Sequence, residues 1–147
     1  MVALALGVGC VAGCFWRSYG ARMSAHVDVL VGIARKAVDL VSSGRMTAET
    51  MPELTYPLER AQAFARTARD RSGNHPPPSL VAFEELIGHY RDLVDHVDRT
   101  RREEHGEAAR ERLTSDLTAV ERAAEGVRAT LATERRLTDR GRSGFGD

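Results

Sequence analysis

Residues 83–97 read FEELIGHYRDLVDHV, and the apolar side chains of this stretch recur at one regular spacing. The positions that share the spacing are Phe83, Ile87, Tyr90, Val94 and Val97, separated alternately by four and three residues. This spacing places all of them on one face of an α-helix, because about 3.6 residues make one turn. The stretch therefore predicts a helix with one buried and one polar face.

Three other segments of the chain show the same rhythm of apolar residues. In the first helix the stripe is Val27, Leu30, Ala34, Ala37 and Val41, widened by Val29, Ile33 and Leu40. In the second it is Leu54, Leu58, Ala61, Ala65 and Ala68, thickened by Phe64, and in the fourth it is Leu113, Leu117, Val120, Ala124, Val127 and Leu131. Each stripe is narrow and rich in Ala and Val, which predicts close packing between helices.

Local signals mark the ends of these helices. Ser24 and Ser79 are predicted to cap the first and third helices, and Gly44 is predicted to end the first in a left-handed conformation. The second helix is predicted to begin near Tyr56, because the proline that follows it is tolerated only near a first turn. The apolar stripe changes register before Leu113, which predicts a turn near residues 105–106 between the third and fourth helices.

Four amphipathic helices with short connections predict an all-α fold, an antiparallel up-down four-helix bundle. The third and fourth helices are predicted to be longer than the first and to form a protruding hairpin. We divide the chain into an apolar signal or anchor segment (residues 1–16), a linker (17–23), the helical bundle (24–137) and a disordered tail (138–147). This topology returns the arginine-rich end of the fourth helix, near residues 135–142, to the end of the bundle that carries the N-terminus.

Composition limits the classes of protein that the chain can belong to. It has 147 residues with 21 basic and 21 acidic side chains, so its formal net charge is zero. That length suits one domain, and the absence of a basic excess argues against nucleic acid as a partner. The two cysteines, Cys10 and Cys14, both lie near the N-terminus. A disulfide framework or a four-cysteine zinc site in the body is therefore excluded.

The N-terminal segment reads MVALALGVGCVAGCFW and carries no charged side chain. Its Val11-Ala12-Gly13-Cys14 resembles the lipobox of bacterial lipoproteins, in which small residues precede the cysteine that becomes lipidated. The resemblance implies lipidation at Cys14 and a bundle outside the cytoplasm, in the cell envelope.

Two other interpretations of this segment stay open. A short membrane-spanning helix would place the bundle on the cytoplasmic side, because Arg17 and Arg22 follow the apolar run and basic residues favour that side. A buried apolar helix of the bundle itself is the third interpretation. The first two predict association with a membrane and disagree about the compartment.

One row of residues on the third helix has the composition of a metal site. Glu85, His89, Asp92 and His96 are spaced by four, three and four residues and so share one helix face. Two imidazoles and two carboxylates can ligate zinc or another divalent cation. This face lies opposite the apolar stripe, however, so the spacing favours a solvated row of acid–histidine pairs.

The predicted hairpin tip, residues 99–112, is almost entirely charged. Its candidate partner-contact residues are Arg99, Arg101, Arg102, Glu103, Glu104, Arg110 and Arg112. Glu103, Glu104 and Glu107 follow the arginines at 99–102 and neutralise their charge, so the tip is better suited to a protein partner than to nucleic acid.

We identify no catalytic, cofactor-binding or phosphate-binding motif in the sequence, so we expect no cofactor and no enzymatic activity. We expect a membrane-tethered helical bundle that acts as a structural or protein-interaction subunit, either an assembly component or an adaptor. Its partner is another protein or a second copy of the chain. The alternative is a bundle of the cell envelope that binds a small ligand or a divalent metal.

Overall fold

The computed structural model describes the backbone of residues 7–103 and 106–143 and the side chains of residues 15–103 and 106–140. Within these ranges the fold is all-helical. The helices are α1 (Gly7–Ser42), α2 (Met51–Ser72), α3 (Pro78–Glu103) and α4 (Glu107–Ser143), with a 3₁₀ turn at Ala48–Thr50 before α2. The predicted four-helix bundle is therefore confirmed.

Helices α3 and α4 form a hairpin and pack against each other more closely than any other pair. Two ion pairs set the antiparallel register of α1 and α4: Arg35 Nε lies 2.6 Å from Glu121 Oε1, and Arg128 Nη2 lies 3.0 Å from Asp28 Oδ1. With this register α4 begins about seven residues, or roughly 10 Å, beyond the level at which α1 ends. The α3–α4 hairpin tip therefore extends past the end of α1.

The core contains the predicted apolar stripes together with buried residues outside them, such as Leu80, Leu86 and Leu93. All five stripe positions of α3 are buried, and Tyr90 donates a hydrogen bond of 2.8 Å to the carbonyl of Leu54 in α2. Burial raises the pKa of the Tyr90 hydroxyl, so it stays protonated. One predicted member of the core is wrong: Val29 is 48% exposed. Two residues beyond Val27 correspond to about 200° around a helix, so Val29 points away from the stripe.

Helix α1 begins much earlier than the sequence predicted. With 36 residues it is longer than α3, which has 26, so the prediction that α3 is the longer of the two is wrong. Ser24 lies in its interior, and the helix runs without interruption through residues 17–23, which we predicted to be a linker. Phe15, Tyr19 and Met23 are buried and continue the stripe at intervals of four residues. Residues 7–16 of the apolar segment therefore belong to the same helix as the first stripe of the bundle.

The ends of the other helices differ from the prediction in three places. Helix α2 begins at Met51 and contains Pro57, whose missing N–H costs only one hydrogen bond near the helix start. Ser79 is the second residue of α3, after a proline, rather than its cap. Helix α4 includes residues 138–143, predicted to be disordered, while residues 144–147 lie outside the described part of the chain.

The predicted end of α1 and the predicted break between α3 and α4 are confirmed. Gly44 has φ of +69° directly after α1, and the N–H of Arg45 bonds the carbonyl of Leu40 at 2.8 Å. This left-handed ending satisfies carbonyls that the last turn leaves unpaired. Helix α3 ends at Glu103 and α4 begins at Glu107, as the predicted turn near residues 105–106 requires.

Candidate functional site

An aromatic cluster joins three helices at the end of the bundle where α1 begins. The ring of Phe64 in α2 lies 6.2 Å from Phe15, 5.8 Å from Tyr19 and 5.8 Å from Phe83, measured between centroids. All four side chains are buried. Ring pairs at these separations add to the stability gained from burial alone. The cluster therefore holds the N-terminal part of α1 against α2 and α3.

Two arginines cover the aromatic rings at this end. The guanidinium carbon of Arg71 lies 4.4 Å from the ring centroid of Phe15, and that of Arg22 lies 5.4 Å from the ring of Phe64. These distances are within the range of cation–π attraction. The arginines thus contribute positive charge to the surface while their side chains shield the aromatic cluster.

His26 borders the same cluster, with its ring 5.1 Å from that of Phe64. Burial lowers the pKa of its imidazole, and the nearby positive charges of Arg60 and Arg22 lower it further. The imidazole is therefore neutral at neutral pH and packs as an aromatic ring.

A buried polar network lies beside the aromatic rings and connects α1, α3 and α4. The Ser79 hydroxyl donates to Glu134 Oε2 at 2.7 Å, and the Ser79 backbone N–H donates to Glu134 Oε1 at 2.9 Å. The Tyr19 hydroxyl lies 3.0 Å from the Ser79 hydroxyl oxygen. Because Ser79 uses its one hydroxyl proton on Glu134, Tyr19 is the donor in this contact.

This network gives Glu134 the role that a capping residue usually plays. Its carboxylate accepts the backbone N–H of Ser79 in the first turn of α3, where no helical partner exists. Burial raises the pKa of Tyr19 to about 12, although the hydrogen bond to Ser79 acts in the opposite direction. Tyr19 therefore remains a proton donor throughout the physiological range.

A cleft of about 590 Å³ opens between α1 and α4 next to the network. Its walls include Trp16, Arg17, Leu131 and Arg135, with Thr138, Asp139 and Glu134 also in its lining. Trp16 stacks near Tyr19 at 4.9 Å between centroids and is 39% exposed. The cleft thus combines an apolar wall with arginine side chains at the surface of the bundle.

The same end of the bundle carries an excess of positive charge. The segments that meet there, residues 7–23, 66–78 and 131–143, contain nine arginines and three acidic residues. Because the whole chain has no net charge, the rest of it carries six more acidic than basic residues. We call this surface the basic end, and its exposed arginines include Arg17, Arg135, Arg136 and Arg140.

The structure does not bring the predicted metal ligands of α3 together. Glu85 and Asp92 are exposed, and His89 Nε2 lies 3.8 Å from Glu85 Oε1. His96 turns toward α4, where its Nδ1 lies 2.5 Å from Asp116 Oδ2. Within the described part of the chain, no three His, Cys, Asp or Glu side chains are close enough to hold a metal ion. A single helix spreads these side chains along its axis, so the row does not converge on one point.

The predicted partner-contact residues of the hairpin tip have two different surroundings. Arg99, Glu103, Arg110 and Arg112 are exposed, while Glu104 lies outside the described residues. Arg101 and Arg102 both bind Asp98, with Arg101 Nη2 2.7 Å from Asp98 Oδ1. These two arginines are therefore held along α3 rather than presented at the end of the hairpin.

The lipidation candidate Cys14 lies within α1, immediately before the buried Phe15. Its side chain falls outside the described residues. Among the residues that the structure describes, no helix has an apolar stretch long enough to cross a membrane.

The sequence analysis missed the polar network, although the sequence contains a signal for it. The four–three spacing of the α4 stripe continues from Leu131 to Glu134, so a carboxylate occupies a core position. A charged group at such a position requires a buried partner. Which partner it meets depends on how α3 and α4 align, and Ser79 was assigned a different role.

Comparison with known proteins gave no match: no family model, no curated protein and no solved structure is similar to this chain.

Proposed function

We propose that the chain is a non-enzymatic, membrane-tethered helical bundle that acts as a structural or protein-interaction subunit. The observation that carries the proposal is the continuity of α1, which joins residues 7–16 of the apolar segment to the bundle without a linker. Because no flexible linker intervenes, the position of this segment fixes the position of the whole bundle. The tether and the interaction surface then lie at opposite ends of one rigid body.

Two exposed residues that follow Cys14 on α1 support the tether. They are Trp16 and Arg17, whereas Phe15 and Tyr19 are buried in the bundle. Aromatic and basic side chains of this kind are enriched where proteins meet the membrane–water interface. A lipidated cysteine or a short spanning helix would each hold this part of α1 near the bilayer.

The α3–α4 hairpin tip supports the interaction role. It extends roughly 10 Å beyond the end of α1, and Arg99, Arg110 and Arg112 are exposed on it. It lies at the opposite end of the bundle from the basic end. A partner can therefore reach it without approaching the tether.

Intact-mass analysis of the chain from membrane and soluble fractions of its native cells tests the tether. We expect it in the membrane fraction, either beginning at Cys14 with added acyl mass or at full length without modification. The first result would assign a lipoprotein and the second a spanning anchor. Recovery of the full-length, unmodified chain in the soluble fraction would overturn the proposal.

Serine substitutions at the two cysteines separate these outcomes. For a lipoprotein, Cys14→Ser is expected to abolish the acyl mass and reduce the membrane fraction at least tenfold, because the modified sulfur is lost. Cys10→Ser is the matched control and should leave mass and location unchanged. For a spanning anchor, neither substitution should move the protein.

Charge reversal at the hairpin tip tests the interaction role. We expect the triple variant Arg99→Glu, Arg110→Glu and Arg112→Glu to reduce at least tenfold the recovery of partners cross-linked to the chain in its own membranes. Reversing Arg66, Arg91 and Arg122, which are exposed along the bundle, changes the net charge equally and should preserve recovery. Equal recovery from the tip variant and the unmodified chain would count against the tip as the interaction surface.

A further inference from the structure

We propose that the basic end of the bundle binds an anionic lipid surface, with Trp16 at the level of the headgroups. The inference deepens the proposed function and rests on it, since a tether in the N-terminal segment would hold this end against the bilayer. It assigns a role to the cleft between α1 and α4 and to the arginines around it. The tether alone requires neither the cleft nor these arginines.

The register of α1 and α4 places the arginines of both helices at the same height. The pairs Arg35–Glu121 and Asp28–Arg128 fix an antiparallel register in which each residue further along α1 lies level with a residue one position earlier in α4. Continued toward the basic end, this register sets Arg140 opposite Trp16 and Arg136 opposite Gly20. The lining of the cleft agrees, since Trp16 and Arg17 face Asp139 and Arg135 across it.

These arginines lie within reach of the bilayer for a chain held at Cys14. From Cys14 to the level of Arg136 is six residues of helix, or about 9 Å. Electrostatic attraction between charges in physiological salt extends over about 8 Å. The arginines at the level of Trp16 and Arg17 are closer still, so Arg17 and Arg140 lie within this distance and Arg135 and Arg136 lie at its edge.

The acidic groups at this end do not cancel the attraction. Glu134 is occupied by two hydrogen bonds from Ser79 and is half-buried. The excess of arginine over acidic residues in the three segments that meet here is six. Each basic residue close to an anionic membrane strengthens binding by about fivefold, so several acting together produce a strong preference for anionic lipid.

Two exposed apolar side chains accompany the charges. Trp16 is 39% exposed, and Leu137, which follows Arg136 on α4, is 63% exposed. Apolar side chains surrounded by arginine suit the boundary between headgroups and acyl chains, where tryptophan is enriched. Trp16 is also the only tryptophan of the chain, so its fluorescence reports on this surface alone.

The test measures binding of the full-length chain to vesicles of phosphatidylcholine, with and without added phosphatidylglycerol. We expect at least tenfold tighter binding to the anionic vesicles, a steep loss of this difference as salt is raised, and a blue shift of Trp16 emission. Equal binding to both kinds of vesicle, without salt dependence, would overturn the inference and leave the tether intact. No binding to either kind would overturn both proposals.

Two charge-reversal variants localise the effect. Reversing Arg135, Arg136 and Arg140 to Glu is expected to abolish the preference for anionic vesicles. The tip variant, with Arg99, Arg110 and Arg112 reversed, has the same net charge and should keep the preference. If both variants lose it equally, net charge rather than the basic end is responsible, and the inference fails.

Two further measurements test whether loss of positive charge, rather than unfolding, causes the loss of binding. Substitution of the same three α4 arginines by glutamine should weaken the preference by a smaller factor, and far-ultraviolet circular dichroism checks that each variant is folded. If the glutamine variant binds anionic vesicles as tightly as the unmodified chain, the inference is overturned. Tighter binding to soluble heparin than to anionic vesicles would also overturn it, because it would assign the basic end to an acidic macromolecule.

Discussion

Replacement of Phe64 by alanine is expected to lower the free energy of unfolding by about 3–5 kcal/mol, the usual cost of deleting a buried aromatic side chain. Phe64 is 4% exposed and lies at the centre of the aromatic cluster, against rings of α1 and α3. Its removal leaves a cavity that the surrounding helices cannot fill without moving. Chemical denaturation followed by circular dichroism measures the change.

Tyr56→Ala is the matched control for this prediction. Tyr56 is on the same helix but is 58% exposed, so its loss should change stability by less than about 0.5 kcal/mol. Trp16 fluorescence adds a local measurement, because Trp16 adjoins Phe15 and Tyr19. A loss below about 1 kcal/mol for Phe64→Ala, against the cavity cost expected for a core aromatic, would show that the N-terminal part of α1 does not depend on this cluster.

Glu134→Ala is expected to destabilise the bundle by about 2–4 kcal/mol. Hydrogen bonds to a charged group contribute about 1.5–3 kcal/mol each, and their loss leaves buried donors unsatisfied. Both donors belong to Ser79, whose side chain is completely buried. The substitution therefore leaves the backbone N–H of Ser79, in the first turn of α3, without its acceptor.

Two comparisons test whether the network, rather than the helix, causes this effect. Glu125→Ala removes an exposed glutamate from the same helix, and surface substitutions of this kind change stability by at most about 0.5 kcal/mol. In a double-mutant cycle, Ser79→Ala and Glu134→Ala should be strongly non-additive, because each removes the same contact. Additive effects would contradict the network.

The apolar stripes were sufficient to predict the helices and the bundle. Val97, Val120 and Ala124, for example, are fully buried where the four–three spacing placed them. This success has a physical basis, since a stripe of that width is stable only when other stripes cover it. The start of α1 was misplaced because the segment was interpreted from its lack of charge, although Phe15, Tyr19 and Met23 continue the stripe of Val27.

The site at the basic end was harder to predict. The Ser79–Glu134 contact joins residues 55 positions apart, so it depends on the register of two helices that periodicity alone does not determine. His96 illustrates the same limit: its spacing assigned it to the row with His89, but its side chain reaches Asp116 on α4. Local pattern identifies the face of a helix, whereas the partner is set by the packing of the whole bundle.

With the proposed tether at Cys14, the uninterrupted α1 would make the bundle a spacer of set height. With the register of α1 and α4 extended to the start of α4, the hairpin tip lies some 35 residues along the helix axis from Cys14, or about 50 Å. A flexible linker would let the tip sample a range of distances from its attachment point. A continuous helix instead presents it at one elevation and one orientation, so a partner at that height meets a surface already in place.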